Sequence, residues 1–343
     1  MHLSHELLTI ERSSDLERHR VSSLPILVIH AHSSCNCRCV MCDIWKTNEN
    51  RALRPADLEP HLASIRRLGV RWVVFSGGEP LLNTELASLC SILKAENIHL
   101  TLLTTGLLLA KCAAQVADSF DDVIVSLDGP QAVHDSIRRV RSAFIVIRAG
   151  IEAVRKLRPE MSITARTTVQ RQNHLHLRET VQAAKLLGLN AISFLAADLT
   201  SQAFNRLQQW TPNRQSDVAL SLKELTALEA ELESLIQENA SEIASGFIVE
   251  SPAKLRRIAR HFRAQLGLEK SESPFCNAPW VSAVLEVDGT VRPCFFHRSI
   301  GNLRNNSLGN IINGEEALAF RSALDIPANP TCNQCVCSLN YKG

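Results

Sequence analysis

No stretch of the 343-residue sequence reaches the roughly 18 uninterrupted apolar residues of a membrane-spanning helix. The nearest, Ile98 to Ala110, is broken by His99, three threonines and Gly106. A secretory signal is missing as well, because Met1 to Arg20 mixes His5, Glu6, Glu11, Arg12, Asp15, Glu17 and Arg18 with few apolar residues. Neither sign of charge prevails: 37 Lys and Arg face 35 Asp and Glu, a formal charge of +2. That balance excludes the strong positive field of a general nucleic-acid binder. Solenoid-type repeats and low-complexity tracts are absent too. A globular, cytoplasmic protein is expected, with neither nucleic acid nor membrane among its partners.

Cysteine, by contrast, is plentiful. Eleven cysteines in a reducing compartment are not expected to be mostly disulfides. Seven form two sets, Cys35, Cys39 and Cys42 near the start and Cys276, Cys294, Cys332 and Cys335 near the end. Clustered thiols point to metal. Cys90 and Cys112 lie in apolar helical context and read as inert core residues.

From Pro25 to about Asn239 short apolar runs alternate with amphipathic stretches, the pattern of repeated βα units and a mainly parallel sheet. The expected strands are Ile26–His30, Trp72–Phe75, Ile98–Leu103, Val123–Ser126, Ser162–Val169 and Ala191–Leu195. Helices are expected over Ala56–Leu68, Thr84–Ala95 and Leu175–Leu187, and Ser221 with Glu224 forms a capping box for a long helix ending near Asn239. Right-handed crossovers would wrap these units into a partial (β/α)6 barrel. The chain then divides into an N-terminal extension (1–24), a barrel core (25–240), a helical connector (241–273) and a small, loop-rich, metal-stapled domain (274–343).

The segment Cys35-Asn-Cys37-Arg-Cys39-Val-Met-Cys42 follows the first strand, where an α/β barrel places its active-site loop. Cys-x-x-x-Cys-x-x-Cys wraps three thiolates around three corners of a cubane and leaves one iron open. Soft thiolates suit iron–sulfur or zinc, but structural zinc wants four closed ligands and no nearby histidine has a paired spacing. Strand two ends in Ser76-Gly77-Gly78-Glu79-Pro80, whose two glycines admit close backbone approach, and strand four in Ser126-Leu-Asp128-Gly129. By themselves these are turns.

Together they resemble the radical S-adenosylmethionine (SAM) superfamily. The resemblance implies a 4Fe-4S cluster on Cys35, Cys39 and Cys42, with SAM chelating the open iron. An electron from that cluster then cleaves SAM to methionine and a 5′-deoxyadenosyl radical, which abstracts a substrate hydrogen. It implies SAM contacts at Gly77, Gly78, Glu79 and Pro80, with Ser126 and Asp128 as further candidates, and a flavodoxin- or ferredoxin-type electron donor. Thr104, Thr105, Gly106 and Arg138 match more weakly. Met41 departs from the aromatic residue common before the third cysteine, and Cys37 falls outside the family spacing and reads as a non-ligand.

The tail places Cys276, then Gly289-x-x-x-x-Cys294 after an Asp288-Gly289 hairpin turn between Val284–Val287 and Thr290–Arg292, then Cys332-x-x-Cys335-x-Cys337. It resembles the auxiliary iron–sulfur extension called SPASM in its long form and twitch in its short form. Two thiolate-ligated cubanes need eight cysteines and five are present from Cys276 onward, so one auxiliary 4Fe-4S cluster on Cys276, Cys294, Cys332 and Cys335 is expected. Cys337 is a spare thiol or a replacement for Cys335, and a structural zinc would also satisfy four cysteines.

The basic run Lys254, Arg256, Arg257, Arg260 and Arg263 is a solvated helix face or a clamp for an anionic group, and Asp198–Trp210 falls where substrate contacts belong. Two substrate types compete: a small molecule of sugar, cyclitol or nucleotide type, or a ribosomally made peptide. The roughly 25 residues before strand one, too few for a leader-peptide-recognition domain, tilt the reading to the small molecule. A non-catalytic iron–sulfur or zinc-binding protein is the reading from another class.

Overall fold

A computed structural model describes residues 19–206 and 208–342, so most of the expected N-terminal extension lies outside the described residues. Six strands run in parallel in chain order: β1 (Ile26–His32), β2 (Trp72–Gly77), β3 (His99–Thr104), β4 (Asp122–Ser126), β5 (Ser162–Val169) and β6 (Ile192–Ala196). Each lies within two residues of its expected ends. β6 forms one sheet edge and does not pair with β1, which leaves the (β/α)6 barrel partial.

Alternation sets the two faces of these strands. Leu27, Ile29, Val73, Phe75, Val123, Val125, Ile163 and Phe194 are buried against the helices. Their neighbours Val28, His30, Ser76, Ser126, Arg166 and Ser193 are less covered and line the concave face.

The helical cover includes Leu62–Arg67, Leu86–Lys94, Ala113–Ser119, Gln131–Arg138, Ala143–Leu157 and Leu177–Leu186. The single helix expected over Ala56–Leu68 is interrupted by a tight turn at Glu59–His61, where Pro60 cannot donate to the helical ladder. The helix Leu222–Glu238 opens on the expected capping box, with Ser221 N–H donating to Glu224 Oε2 at 2.7 Å and Glu224 N–H donating to Ser221 Oγ at 3.4 Å.

The tail extends the same sheet. β7 (Ser282–Leu285) lies parallel to β1, from Ile26 opposite Ser282 to Ile29 opposite Leu285, and β8 (Thr290–Arg292) and β9 (Gly301–Asn302) continue antiparallel. The hairpin strand ends at Leu285 rather than Val287. Gly289 N–H donates to Glu286 O at 2.9 Å and Glu286 N–H to Thr290 O at 2.8 Å, with Gly289 at φ +87°. Asp288-Gly289 thus ends a three-residue turn with a bulge, which needs a left-handed residue where glycine stands.

Candidate functional site

The cysteine loop leaves β1 through an irregularity in its pairing with β2, because His30 sits opposite Ser76 but His32 opposite Gly77. Beyond it the loop is laced to the β2 turn: Gly78 N–H donates to His32 O and Glu79 N–H to Ser34 O, both at 2.9 Å. Gly77 has φ +112°, and a Cβ on Gly78 would lie 2.0 Å from Ser34 O. The close approach that the two glycines allow is therefore to the backbone of the cysteine loop. On its other flank, Arg38 and Val40 N–H groups donate to the carbonyls of Arg138 and Ile137 at 3.2 and 3.0 Å.

Cys35, Cys39 and Cys42 lie within mutual electrostatic reach, and Cys37 interacts with Cys35 and Cys39. Side-chain interactions with Cys35 and Cys39 push the Cys37 pKa up and lower both neighbours, Cys39 to about 7 with help from the Arg138 cation. Burial pushes Cys42 up to about 12. Cys37 stands outside the Cys-x-x-x-Cys-x-x-Cys spacing that Cys35, Cys39 and Cys42 form. Cys37→Ala is accordingly expected to keep the iron of the first site near the wild-type amount; loss of about four irons per chain on metal analysis would make Cys37 a ligand.

Two buried carboxylates brace this loop. Glu79 is wholly buried, and burial raises its pKa against four hydrogen bonds. Oε1 accepts from Thr104 Oγ1 at 2.8 Å and Leu81 N–H at 3.1 Å, and Oε2 accepts from Thr105 N–H and Thr105 Oγ1, both at 2.7 Å. Both oxygens are fully used within the protein. Asp128 Oδ2 lies 2.6 Å from Arg138 Nη2, its Oδ1 accepts from Thr168 N–H at 3.0 Å, and Arg138 Nη1 reaches Cys39 Sγ at 3.5 Å. Pro80 opens a tight turn after Glu79, and Ser126 ends β4 on the concave face.

A third support was not legible in the sequence. Trp210 Nε1 donates to Asp43 Oδ2 at 2.6 Å, while the guanidinium carbons of Arg206 and Arg214 lie 3.7 and 4.1 Å from the Trp210 ring centre. Arg206 donates to Asp198 Oδ2 at 2.6 Å and to Met41 O at 3.3 Å, and Arg214 donates to Val40 O. Arg206 and Trp210, in the stretch where substrate contacts were expected, are thus spent on gripping residues 40–43.

Cys276, Cys294, Cys332, Cys335 and Cys337 form a second thiol group in the tail, each within electrostatic reach of others in the set. Burial pushes Cys294 up to about 12 and Cys332 to about 11. His297 Nε2 lies 3.2 Å from Cys332 Sγ, and burial lowers the imidazole pKa. Its sequence neighbourhood, Phe295-Phe296-His297 three residues after Cys294, was the only signal for it. Among the described residues no three His, Cys, Asp or Glu side chains converge on a point that one metal ion could occupy.

The family model for the radical SAM superfamily matches residues 31–184, and that for an iron–sulfur cluster-binding domain, SPASM, matches 276–336, together more than half of the chain. The AdoMet-dependent heme synthase of Methanosarcina barkeri is 28% identical over 206 residues, 56% of this chain and 58% of that protein. The chain thus spans little more than half of that relative's length. A probable GTP 3′,8-cyclase of Methanococcus maripaludis is 26% identical over 295 residues, 81% of this chain and 85% of that one. Among solved structures, Streptococcus suis SuiB bound to precursor peptide SuiA superposes with a TM-score of 0.64 at 16% identity, over 98% of this chain and 76% of that one, a likeness of fold. With its cysteine loop on the first strand of a partial barrel and a second thiol group beyond, the chain belongs to the radical SAM superfamily and carries a SPASM iron–sulfur domain.

Proposed function

We propose that the protein cleaves SAM reductively and removes a hydrogen atom from an unactivated carbon of a small molecule of sugar, cyclitol or nucleotide type, an oxidoreductase-type reaction in the reducing cytoplasm. The family's cofactors are a 4Fe-4S cluster and SAM, and its SPASM domains hold auxiliary iron–sulfur clusters. When bound, the first cluster supplies the electron that splits SAM into methionine and a 5′-deoxyadenosyl radical. Members of the superfamily are enzymes and need a reductant; a flavodoxin- or ferredoxin-type donor is proposed here.

The observation that carries the reading is the junction of the cysteine loop with Gly77 and Gly78. The donor set fits a cluster with one open iron: three sulfur ligands on one loop, Cys35, Cys39 and Cys42, beside the buried cation Arg138. SAM would lie along the backbone of Gly77, Gly78 and Pro80 and the Ser126 hydroxyl, with Glu79 and Asp128 as posts that hold those edges in place. The core is assigned to 25–240, the connector to 241–273 and the auxiliary domain to 274–343. One auxiliary cluster on Cys276, Cys294, Cys332 and Cys335 would accept the electron of the substrate radical or anchor the substrate.

Reconstituted protein is expected to carry about eight irons per chain and to form 5′-deoxyadenosine under dithionite. About twelve irons would mean two auxiliary clusters, and about four irons with one zinc would make the tail a structural zinc site. A second reading, modification of a ribosomally made peptide, draws on the likeness to SuiB, whose solved structure holds its precursor peptide. Incubation with SAM and either metabolites or peptides encoded beside its gene separates the two.

A further inference from the structure

The five thiols of the tail come from three segments of chain, and one histidine reaches the sulfurs of two of them. The backbone N–H groups of Phe296 and His297 donate to the Cys294 sulfur. The His297 imidazole serves another cysteine: its Nε2 lies 3.2 Å from Sγ of Cys332, 35 positions along the chain. A sulfur bound to iron carries no proton and can only accept, so with Cys332 as a ligand the hydrogen of this contact belongs to Nε2.

The ring is held where it is. His297 is buried and packs edge to face with Phe320 of the helix Glu315–Ala323, with 4.9 Å between ring centres. Its backbone carbonyl accepts from Arg292 Nη1 at 3.0 Å, and Arg292 is fixed in turn by Glu286 at 2.6 Å. A donor locked onto a ligand sulfur acts on the cluster through that ligand. Reduction adds negative charge that spreads onto the sulfurs, and an N–H aimed at one of them stabilises the reduced form more than the oxidised one.

We propose that His297, through Nε2–H on the Cys332 sulfur, raises the reduction potential of the auxiliary cluster and so fits it to take the electron of the substrate radical. Anchoring a substrate would need no such donor. His297 touches a ligand and not the reacting atoms, which makes it a positioning residue. The inference rests on the iron–sulfur reading of the tail with Cys332 among its ligands.

The test is a redox titration of the reconstituted full chain followed by electron paramagnetic resonance. The auxiliary signal is the one that persists when Cys35, Cys39 and Cys42 are all alanine. His297→Phe keeps a flat ring but cannot donate. It is expected to hold about eight irons and to reduce its auxiliary cluster with an equilibrium constant about ten-fold smaller, a fall of about 59 mV for one electron. The first cluster keeps its midpoint, and His297→Gln, which restores an N–H donor, recovers most of the loss. An unchanged auxiliary midpoint in His297→Phe overturns the proposal, as does a shift of both clusters together or an equal fall in His297→Gln. Loss of about four irons from both variants overturns it as well, because His297 would then be a ligand or a structural post. If His297→Phe alone fails to load, wild-type protein carrying isotopically labelled histidine decides. Pulsed resonance is expected to show a histidine nitrogen weakly coupled to the reduced auxiliary cluster; no coupling, or coupling as strong as that of a direct ligand, overturns the proposal. A wild-type tail loaded with zinc in place of iron overturns the iron–sulfur reading itself, whereas an iron-loaded tail with an unmoved midpoint overturns this proposal alone.

Discussion

Replacing Cys35, Cys39 and Cys42 together by alanine is expected to abolish 5′-deoxyadenosine formation under dithionite and to remove about four irons per chain while the other four remain. The three thiols sit on one loop whose backbone is fixed on two flanks, by Gly78 and Glu79 on one side and Ile137 and Arg138 on the other. Those bonds use peptide groups, so the loop should keep its course when the sulfurs are gone. The second thiol group draws its members from residues 276 onward and shares no ligand with the first. Undiminished cleavage by the triple variant would remove the loop from the chemistry. Loss of all eight irons would mean that the tail depends on the first site.

Gly78→Ala is expected to be almost as damaging by a different route. The added methyl would meet Ser34 O at 2.0 Å and Ser34 C at 2.5 Å, both backbone atoms that no rotamer change can move. Overpacking commonly costs about 1–3 kcal/mol and more where backbone must shift, so a loss of at least about 3 kcal/mol is expected. The shift would part Glu79 from Ser34 and unseat the cysteine loop, and the variant should fail to retain iron at the first site. Gly309→Ala is the control: its Cβ would find Ser64 Oγ at 3.5 Å, and the change should be neutral or stabilising by up to about 1 kcal/mol. A thermal melt and an iron determination on both variants decide the matter. Wild-type iron in Gly78→Ala would show that the loop tolerates a parted junction.

The barrel strands were legible because each carries its own period-two pattern within five to eight residues. The cysteine loop and the Gly77-Gly78 turn were legible because their residues are contiguous. What escaped was contact between distant segments: Arg138 meets Cys39 across 99 positions, and Trp210 meets Asp43 across 167. Glu79 shows a subtler gap. Its position in the motif was readable, but that Thr104 and Thr105 exhaust its carboxylate required the geometry of β3. The parallel pairing of β7 with β1 had no local signature either, since a hairpin pattern says nothing of which edge the hairpin joins.

That pairing bears on how the chain is made. β1 is flanked by β2 and β7, and residues 282–285 leave the ribosome long after residues 26–32. At 5–20 residues per second the edge of β1 stays unpaired for roughly ten to fifty seconds, its apolar stretch Ile26–Ile29 open to other chains. Unpaired strand edges of this kind are aggregation templates. The strand that launches the cysteine loop is thus the last in the barrel to be completed. The yield of folded protein is therefore expected to fall where that edge is left unshielded during synthesis.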